Sequence, residues 1–213
     1  AITSGATVTI GLDLGDRMTE GCVMDTTGAV VERFRTRTTR ARVAPLLAIL
    51  EHLTATIRQF DRQLARLATT RYPVTAVLRQ IPGVGPLTAL TYVLTLEDPT
   101  RFRKSRMVGA YLGLRPKRRE SGAQRPELST TKAGDVFLRR HLVTAAQYIL
   151  GPFGPDTDLR RWGLALAARG GRAAKKRTVV AVARKLAVLL HRLWVTGEVY
   201  EPLGYQARAA RVA

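Results

Sequence analysis

Ser121 stands in a run of cations that changes what a hydroxyl can do. Arg115, Lys117, Arg118 and Arg119 precede Ser121-Gly122, and Lys132, Arg139 and Arg140 follow. A serine is a poor nucleophile at neutral pH, yet it attacks a phosphodiester when cations stabilise the pentacovalent transition state and a donor protonates the leaving oxygen. Guanidinium groups bind phosphate oxygens in pairs and keep their charge in a desolvated site. Two readings follow from the residues: a nucleophilic serine, or a turn-forming serine that hydrogen-bonds phosphate as a spectator. Ser105, at an expected helix start, reads as an N-cap, and Ser129 as a further phosphate contact. His52, His141 and His191 lie far from Ser121 in sequence, and no spacing supports a Ser-His-acid triad.

Two further motifs handle phosphate or metal. In IPGVGPLTA, Gly83 and Gly85 permit a tight hairpin next to a helix start at Pro86, so backbone N–H groups can hold a phosphate without any side chain. This pattern fits a helix-hairpin-helix, and it equally fits a Gly-rich turn between packed helices. In IGLDLGDR, Asp13 ends a strand between Gly11 and Gly15. A carboxylate held on a rigid sheet edge suits a hard divalent cation. The same spacing opens phosphate-handling kinases and chaperone ATPases, and an ordinary strand-end turn also accounts for it.

The composition says what these motifs meet. Of 213 residues, 35 are basic and 16 acidic, a net charge of +19 that calls for a polyanionic partner. The excess is uneven: residues 1–70 hold nine basic and seven acidic residues, leaving 26 and nine for the remainder. Nucleic acid therefore belongs mainly to the second part. An apolar content of 46% with 24% charged residues describes a folded chain with a real core. The lone Cys22 argues against a disulfide framework or a zinc cluster and for a reducing cytoplasm. No apolar run reaches membrane-spanning length.

The elements that must position these residues are readable from periodicity. Strands are expected over 7–12, 21–24 and 29–36, with a turn at Asp25-Thr26-Thr27-Gly28. From Pro45 to Thr70 the period becomes helical: Leu46, Leu50, Leu53, Ile57, Phe60, Leu64 and Leu67 alternate steps of four and three, a heptad seam that predicts self-association. Helices are expected over 74–80, 87–96, 105–112, 136–150 and 179–195, with a loop at 151–156. The fold class is α+β, divided into a β segment at 1–43, a coiled-coil-like helical arm at 44–71, an all-α domain at 72–203 and a basic tail at 204–213.

Taken together, VTIGLDLGDR, LRQIPGVGPLTALTYVLTLEDPTRF, YLGLRPKRRESG, TKAGDVFLRRHL and ARKLAVLLHRLW resemble the insertion-sequence transposases that pair a RuvC-like, RNase-H-like DEDD domain with a serine-bearing transposase domain, the bridge-RNA-guided recombinases. The resemblance implies DNA transposition through Ser121 as nucleophile, with Asp13 as the first of four acidic ligands to Mg²⁺. It also implies DNA and a guide RNA as partners, with Gly83, Gly85, Arg115, Lys117, Arg118, Arg119, Lys132, Arg139 and Arg140 on the DNA. The match has a gap. After Thr36 the family continues with a glutamate-bearing stretch and a helix with two aspartates, whereas here residues 37–44 lead straight into the arm. Glu51 and Asp61 match no family motif. The expectation is a shortened transposase with an incomplete metal site, or a chain lacking a segment of a longer protein. A non-catalytic nucleic-acid-binding protein is the alternative.

Overall fold

The computed structural model describes residues 7–117, 129–171 and 173–204. It divides into two units, residues 1–60 and 61–213. The first opens with β1 (Thr9–Leu14), β2 (Met18–Met24) and β3 (Val30–Arg37), an antiparallel sheet in that order. The turn after β2 is the expected one. Asp25 accepts hydrogen bonds from the Thr27 hydroxyl (2.6 Å), the Thr27 N–H (2.8 Å) and the Ala29 N–H (3.0 Å), and Gly28 takes a φ of 86°. These bonds, the Thr27 hydroxyl first, hold the Asp25 carboxyl below its ordinary range. Both β1 and β2 run beyond their apolar stretches because the ladder sets their ends: Asp13 pairs with Glu20, and Leu14 with Thr19. Gly21 faces Phe34, and a Cβ at Gly21 would collide with that ring.

The helix α1 (Arg40–Arg71) begins before Pro45 rather than at it. The Thr39 carbonyl accepts from Arg42 (3.0 Å) and Val43 (3.1 Å) and so starts the helix. Pro45, inside it, withholds the N–H that would bond the Ala41 carbonyl. Along the expected seam, Leu50, Leu53, Ile57 and Phe60 are half exposed or more.

The second unit is helical: α2 (Thr75–Leu78), α3 (Pro86–Leu96), a 3-10 turn at Pro99–Arg101, α4 (Arg106–Tyr111), α5 (Val136–Leu150), α6 (Asp158–Ala168) and α7 (Ala174–Thr196). Its centre is α7, which touches α2, α4, α5 and α6. Val182, Leu186, Leu190 and Leu193 are fully buried along one face. Periodicity predicts a start for α7 at residue 179, but the helix begins at Ala174 and includes the basic run Lys175 to Arg177. The expected loop at 151–156 is present, whereas α6 has no counterpart among the expected helices. Thr157 caps it by accepting from the Arg160 N–H (3.1 Å), and Asp158 supplies the acidic first turn.

Two long-range polar ties lock the core. The buried Tyr92 hydroxyl donates to the Ala187 carbonyl at 2.7 Å, and burial pushes its phenol above the ordinary range. His191, 1% exposed, has Nε2 2.9 Å from the Pro99 carbonyl and Nδ1 3.0 Å from Ser105 Oγ. A carbonyl only accepts, so in the neutral ring Nε2–H donates to Pro99 and Nδ1 accepts a hydrogen bond from the Ser105 hydroxyl. Ser105 is thus not the capping hydroxyl expected from its position: it makes no cap bond to α4.

Candidate nucleic-acid interface

Between α2 and α3 the chain makes a turn held by buried Ile81 and Val84, whose backbones link Leu78 O to Ile81 N–H (3.3 Å) and Ile81 O to Val84 N–H (3.0 Å). Gly83 has a φ of 88°, and a Cβ there would stand 3.0 Å from Tyr148 Cδ1 and 3.2 Å from the Ala145 carbonyl. The glycine therefore lets the turn press against α5. Gly85 is different. It caps α3 with φ −81° and ψ 174°, no side chain bonds the first turn, and nothing lies within 4 Å of where a Cβ would stand. Pro86 follows at the first helical position, where its missing N–H costs nothing. Among the described residues the N–H groups of Gly83, Gly85, Leu87 and Thr88 have no acceptor, and the positive end of α3 lies with them.

A cleft of about 460 Å³ opens beside this turn, walled by Arg79, Gly83 and Gly85 on one side and His141, Thr144 and Tyr148 of α5 on the other. The spacing 141, 144, 148 is one face of a helix. Phe137 stacks edge-on to His141 with ring centres 4.5 Å apart. Among the described residues no carboxylate lines the cleft. Thr88 also lines it; that residue is 8% exposed, and its hydroxyl has no partner among the described residues.

The residues on either side of 118–128 form a short stem. Lys117 N–H donates to Ser129 O and Thr131 N–H to Arg115 O, both at 2.9 Å, with Pro116 and Thr130 bridged antiparallel. Lys132, at φ 56°, donates its N–H to Gly113 O at 3.1 Å. Gly113 and Gly134, both at positive φ, sit where a Cβ would collide with backbone at Ala133 and Tyr111 respectively. Asp135 then caps α5 by accepting from Leu138 N–H at 2.6 Å. Ser121, Arg118 and Arg119 lie outside the described residues.

These pieces coincide with a known domain. Residues 75–158, from the start of α2 to the first residue of α6, match the model of the Transposase IS116/IS110/IS902 family. Over this segment the helical unit is similar to these transposases. The chain is 36% identical over 124 residues to the transposase for insertion sequence element IS1111A of Coxiella burnetii, covering 58% of this chain and 33% of that protein. It is 30% identical over 154 residues to a probable family 20 transposase of Pseudomonas aeruginosa, covering 72% and 44%. More distantly, it is 25% identical over 141 residues to the pilin gene-inverting protein of Moraxella lacunata, covering 64% and 42%. The chain thus spans between a third and a half of the length of these relatives.

Within the transposase-related unit, the candidate residues separate by what holds them. Arg115 and Lys117 flank the stem and Arg140 is exposed on α5. Arg139 is committed elsewhere: its Nη1 donates to the Leu112 carbonyl (3.1 Å) and the Ala133 carbonyl (2.9 Å), tying the stem to α5. Sequence reasoning misses Arg79, Thr88, Thr144 and Tyr148, and His141 reads from the sequence as part of a core-facing stripe. The available signal is the 141, 144, 148 spacing, with polar and aromatic residues beside the apolar Leu138 and Leu142.

Asp13 belongs to the sheet unit. Its cross-strand neighbour is Glu20, whose carboxylate lies 3.4 Å from Arg35 Nε. Among the described residues no group of three or more His, Cys, Asp or Glu is placed to hold a metal. One exposed aspartate opposite an arginine-paired glutamate does not fit Mg²⁺, which needs more than one carboxylate or a substrate phosphate to displace its water. No described helix is long and apolar enough to cross a membrane.

Proposed function

We propose that this chain carries the DNA-holding and strand-exchanging part of an insertion-sequence transposase. The observation that carries the reading is the coincidence, within the matched segment, of free N–H groups at the α3 start and a cleft with no carboxylate among its described lining residues, in a chain whose residues 71–213 hold 26 basic and nine acidic residues. In this reading α2, the turn and α3 act as a helix-hairpin-helix that grips one DNA strand by its phosphates, without reading bases. Ser121 is then the nucleophile: its oxygen bonds phosphorus, the phosphodiester bond to one deoxyribose oxygen breaks, and that oxygen leaves with a proton. Arg115, Lys117 and Lys132, together with Arg118 and Arg119, neutralise the charge that develops. A RuvC-like metal site would need carboxylates beyond Asp13, and no step is routed through it. A guide RNA would compete for the same cations.

Binding tests the first half. With about six phosphates contacted, affinity should fall roughly a thousandfold between 50 and 200 mM salt; salt-independent or absent binding defeats the reading. A DNA substrate nicked beside the cut site tests the second half. An adduct that survives denaturation and disappears in Ser121→Ala supports the serine, and an adduct mapped to Ser129 defeats it. The poor fit of the described carboxylates to Mg²⁺ favours a second reading, a nucleic-acid-binding protein that holds DNA without cutting it, for which no adduct forms. The exposed seam of α1 further suggests pairing with a second copy. Leu53→Asp with Phe60→Asp should then convert the protein to monomers by sedimentation, whereas an already monomeric protein at micromolar concentration removes the pairing.

A further inference from the structure

The cleft beside the hairpin is larger than phosphate recognition requires. Its volume of about 460 Å³ falls in the range of roughly 300–1,000 Å³ typical of small-ligand pockets. Phosphate binding by backbone N–H groups uses only the start of α3, where Gly85 and Thr88 line the cleft. The interior holds different chemistry. Tyr148, 46% exposed, presents an aromatic surface, while His141 is steadied from behind by Phe137. Thr88 is buried with an unused hydroxyl, and an unused buried hydroxyl carries a desolvation cost unless a ligand meets it.

We infer that this cleft receives one unstacked nucleobase of a DNA strand whose adjacent phosphate sits on the N-terminus of α3. The inference rests on the DNA-binding reading above and deepens it. An aromatic side chain, a hydroxyl able to donate or accept, and an imidazole are the groups that hold a splayed-out base, by stacking and by hydrogen bonds to its edge. Arg79 at the rim, exposed and without an ion-pair partner among the described residues, adds charge for the strand entering the cleft. The absence of carboxylates among the described lining residues removes the repulsion that would otherwise meet a phosphate. A hairpin that gripped only the backbone of intact duplex would have no use for the open ring of Tyr148. With the base seated, the hairpin holds a strand already opened at one nucleotide, which is the state a strand-exchange reaction must reach.

The test compares three short DNA duplexes bound by the full chain: fully paired, carrying one unpaired nucleotide, and carrying an abasic residue at that same place. The unpaired nucleotide should bind about tenfold tighter than either of the others, a gain of the size that one base-aromatic stack provides. Tyr148→Ala should remove that preference while leaving the paired duplex little changed. Tyr148→Phe should keep it, and Thr88→Val should reduce it. Gly85→Ala should weaken all three duplexes alike. Equal binding of the unpaired and abasic duplexes by the unaltered protein overturns the base site even if a variant fails to fold, and leaves backbone binding standing. Uniform loss on all three duplexes in a folded Tyr148→Ala also overturns it, because the ring then serves the backbone. Tighter binding of the same unpaired probe made in RNA overturns the assignment to DNA. Failure to bind any duplex overturns the DNA-binding reading itself, and the base site with it.

Discussion

The sheet unit and the helical unit solve the burial problem to different degrees. In the helical unit the large apolar residues Leu78, Leu112, Leu138, Leu142, Leu186, Leu190 and Leu193 are wholly buried. In the sheet unit the alternation of β1 gathers Ile10, Leu12 and Leu14 on one face, and all three are between 41% and 54% exposed. On the same face the partners of these residues in β2, Val23 and Thr19, are buried, so only the β1 edge is open, and a three-stranded sheet with so few buried side chains is near the lower limit of independent stability. The difference teaches that the two units draw on separate sources of stability. The helical unit has a core of its own, whereas the sheet relies on its ladder and its turns.

The largest expected effect tests that division directly. Leu190→Ala removes a fully buried side chain from α7 and should destabilise the helical unit by about 3 kcal/mol, within the range of Leu→Ala cavities. Leu12→Ala should cost the sheet less than about 1 kcal/mol, because the side chain already meets water. Urea unfolding followed by tryptophan fluorescence reports the helical unit, since Trp162 and Trp194 both belong to it, and circular dichroism in the strand region reports the sheet. An equal loss from the two changes would mean that β1 is covered in solution by something that buries Leu12.

Two glycines sharpen the contrast. Gly28 in the sheet turn and Gly134 before α5 have similar positive φ values, 86° and 78°. Alanine at either costs about 1–2 kcal/mol for the left-handed backbone. At Gly28 nothing lies within 4 Å of the added Cβ, so that is the whole effect. At Gly134 the Cβ would also run into the backbone at Tyr111 and Leu112, so Gly134→Ala should cost at least about 1 kcal/mol more. Thermal melting of the two variants measures the difference, and equal losses would show that the stem yields easily.

Much of this fold is legible because its signals are local. The three strands, the Asp25 turn, the long arm and five of the six later helices follow from periodicity and from turn residues. The differences sit where a local signal is subordinate to another. The ladder carries β1 past its apolar stretch to Asp13 and Leu14, and GPFGPD masks Thr157-Asp158, an N-cap followed by Leu159, Trp162 and Leu166 at helical steps. The cleft is illegible for a stronger reason. It arises where the Gly83 turn approaches Tyr148 of α5, a meeting between distant segments that no periodicity encodes. Likewise the cations around Ser121 read as a set in the sequence, yet Arg139 commits its guanidinium to two main-chain carbonyls.

The smallest expected effect concerns pH, and it also separates the units. Asp25 accepts bonds from the Thr27 hydroxyl and from the Thr27 and Ala29 N–H groups, which lower its pKa below the 3.8 of an unperturbed side chain. A carboxyl depressed on folding stabilises the folded state fully above its unfolded pKa. That contribution is lost as pH falls through the lower folded value, because the unfolded chain takes up the proton first. Asp25 is fully exposed, so solvent screens the effect and it should be slight. In the helical unit Asp98 and Asp156 are depressed in the same direction, by the Thr100 hydroxyl and by Arg161 respectively, and are just as exposed. The sheet buries few side chains, Val23 and Thr19 among them, so its melting should respond to acid first. Circular dichroism in the strand region should show the sheet weakening below about pH 4, while tryptophan fluorescence still reports a folded helical unit. Asp25→Asn should flatten the sheet's acid response without altering that of the helices. A flat response in the unaltered protein would mean that the carboxylate adds nothing the Thr27 and Gly28 backbone does not already supply.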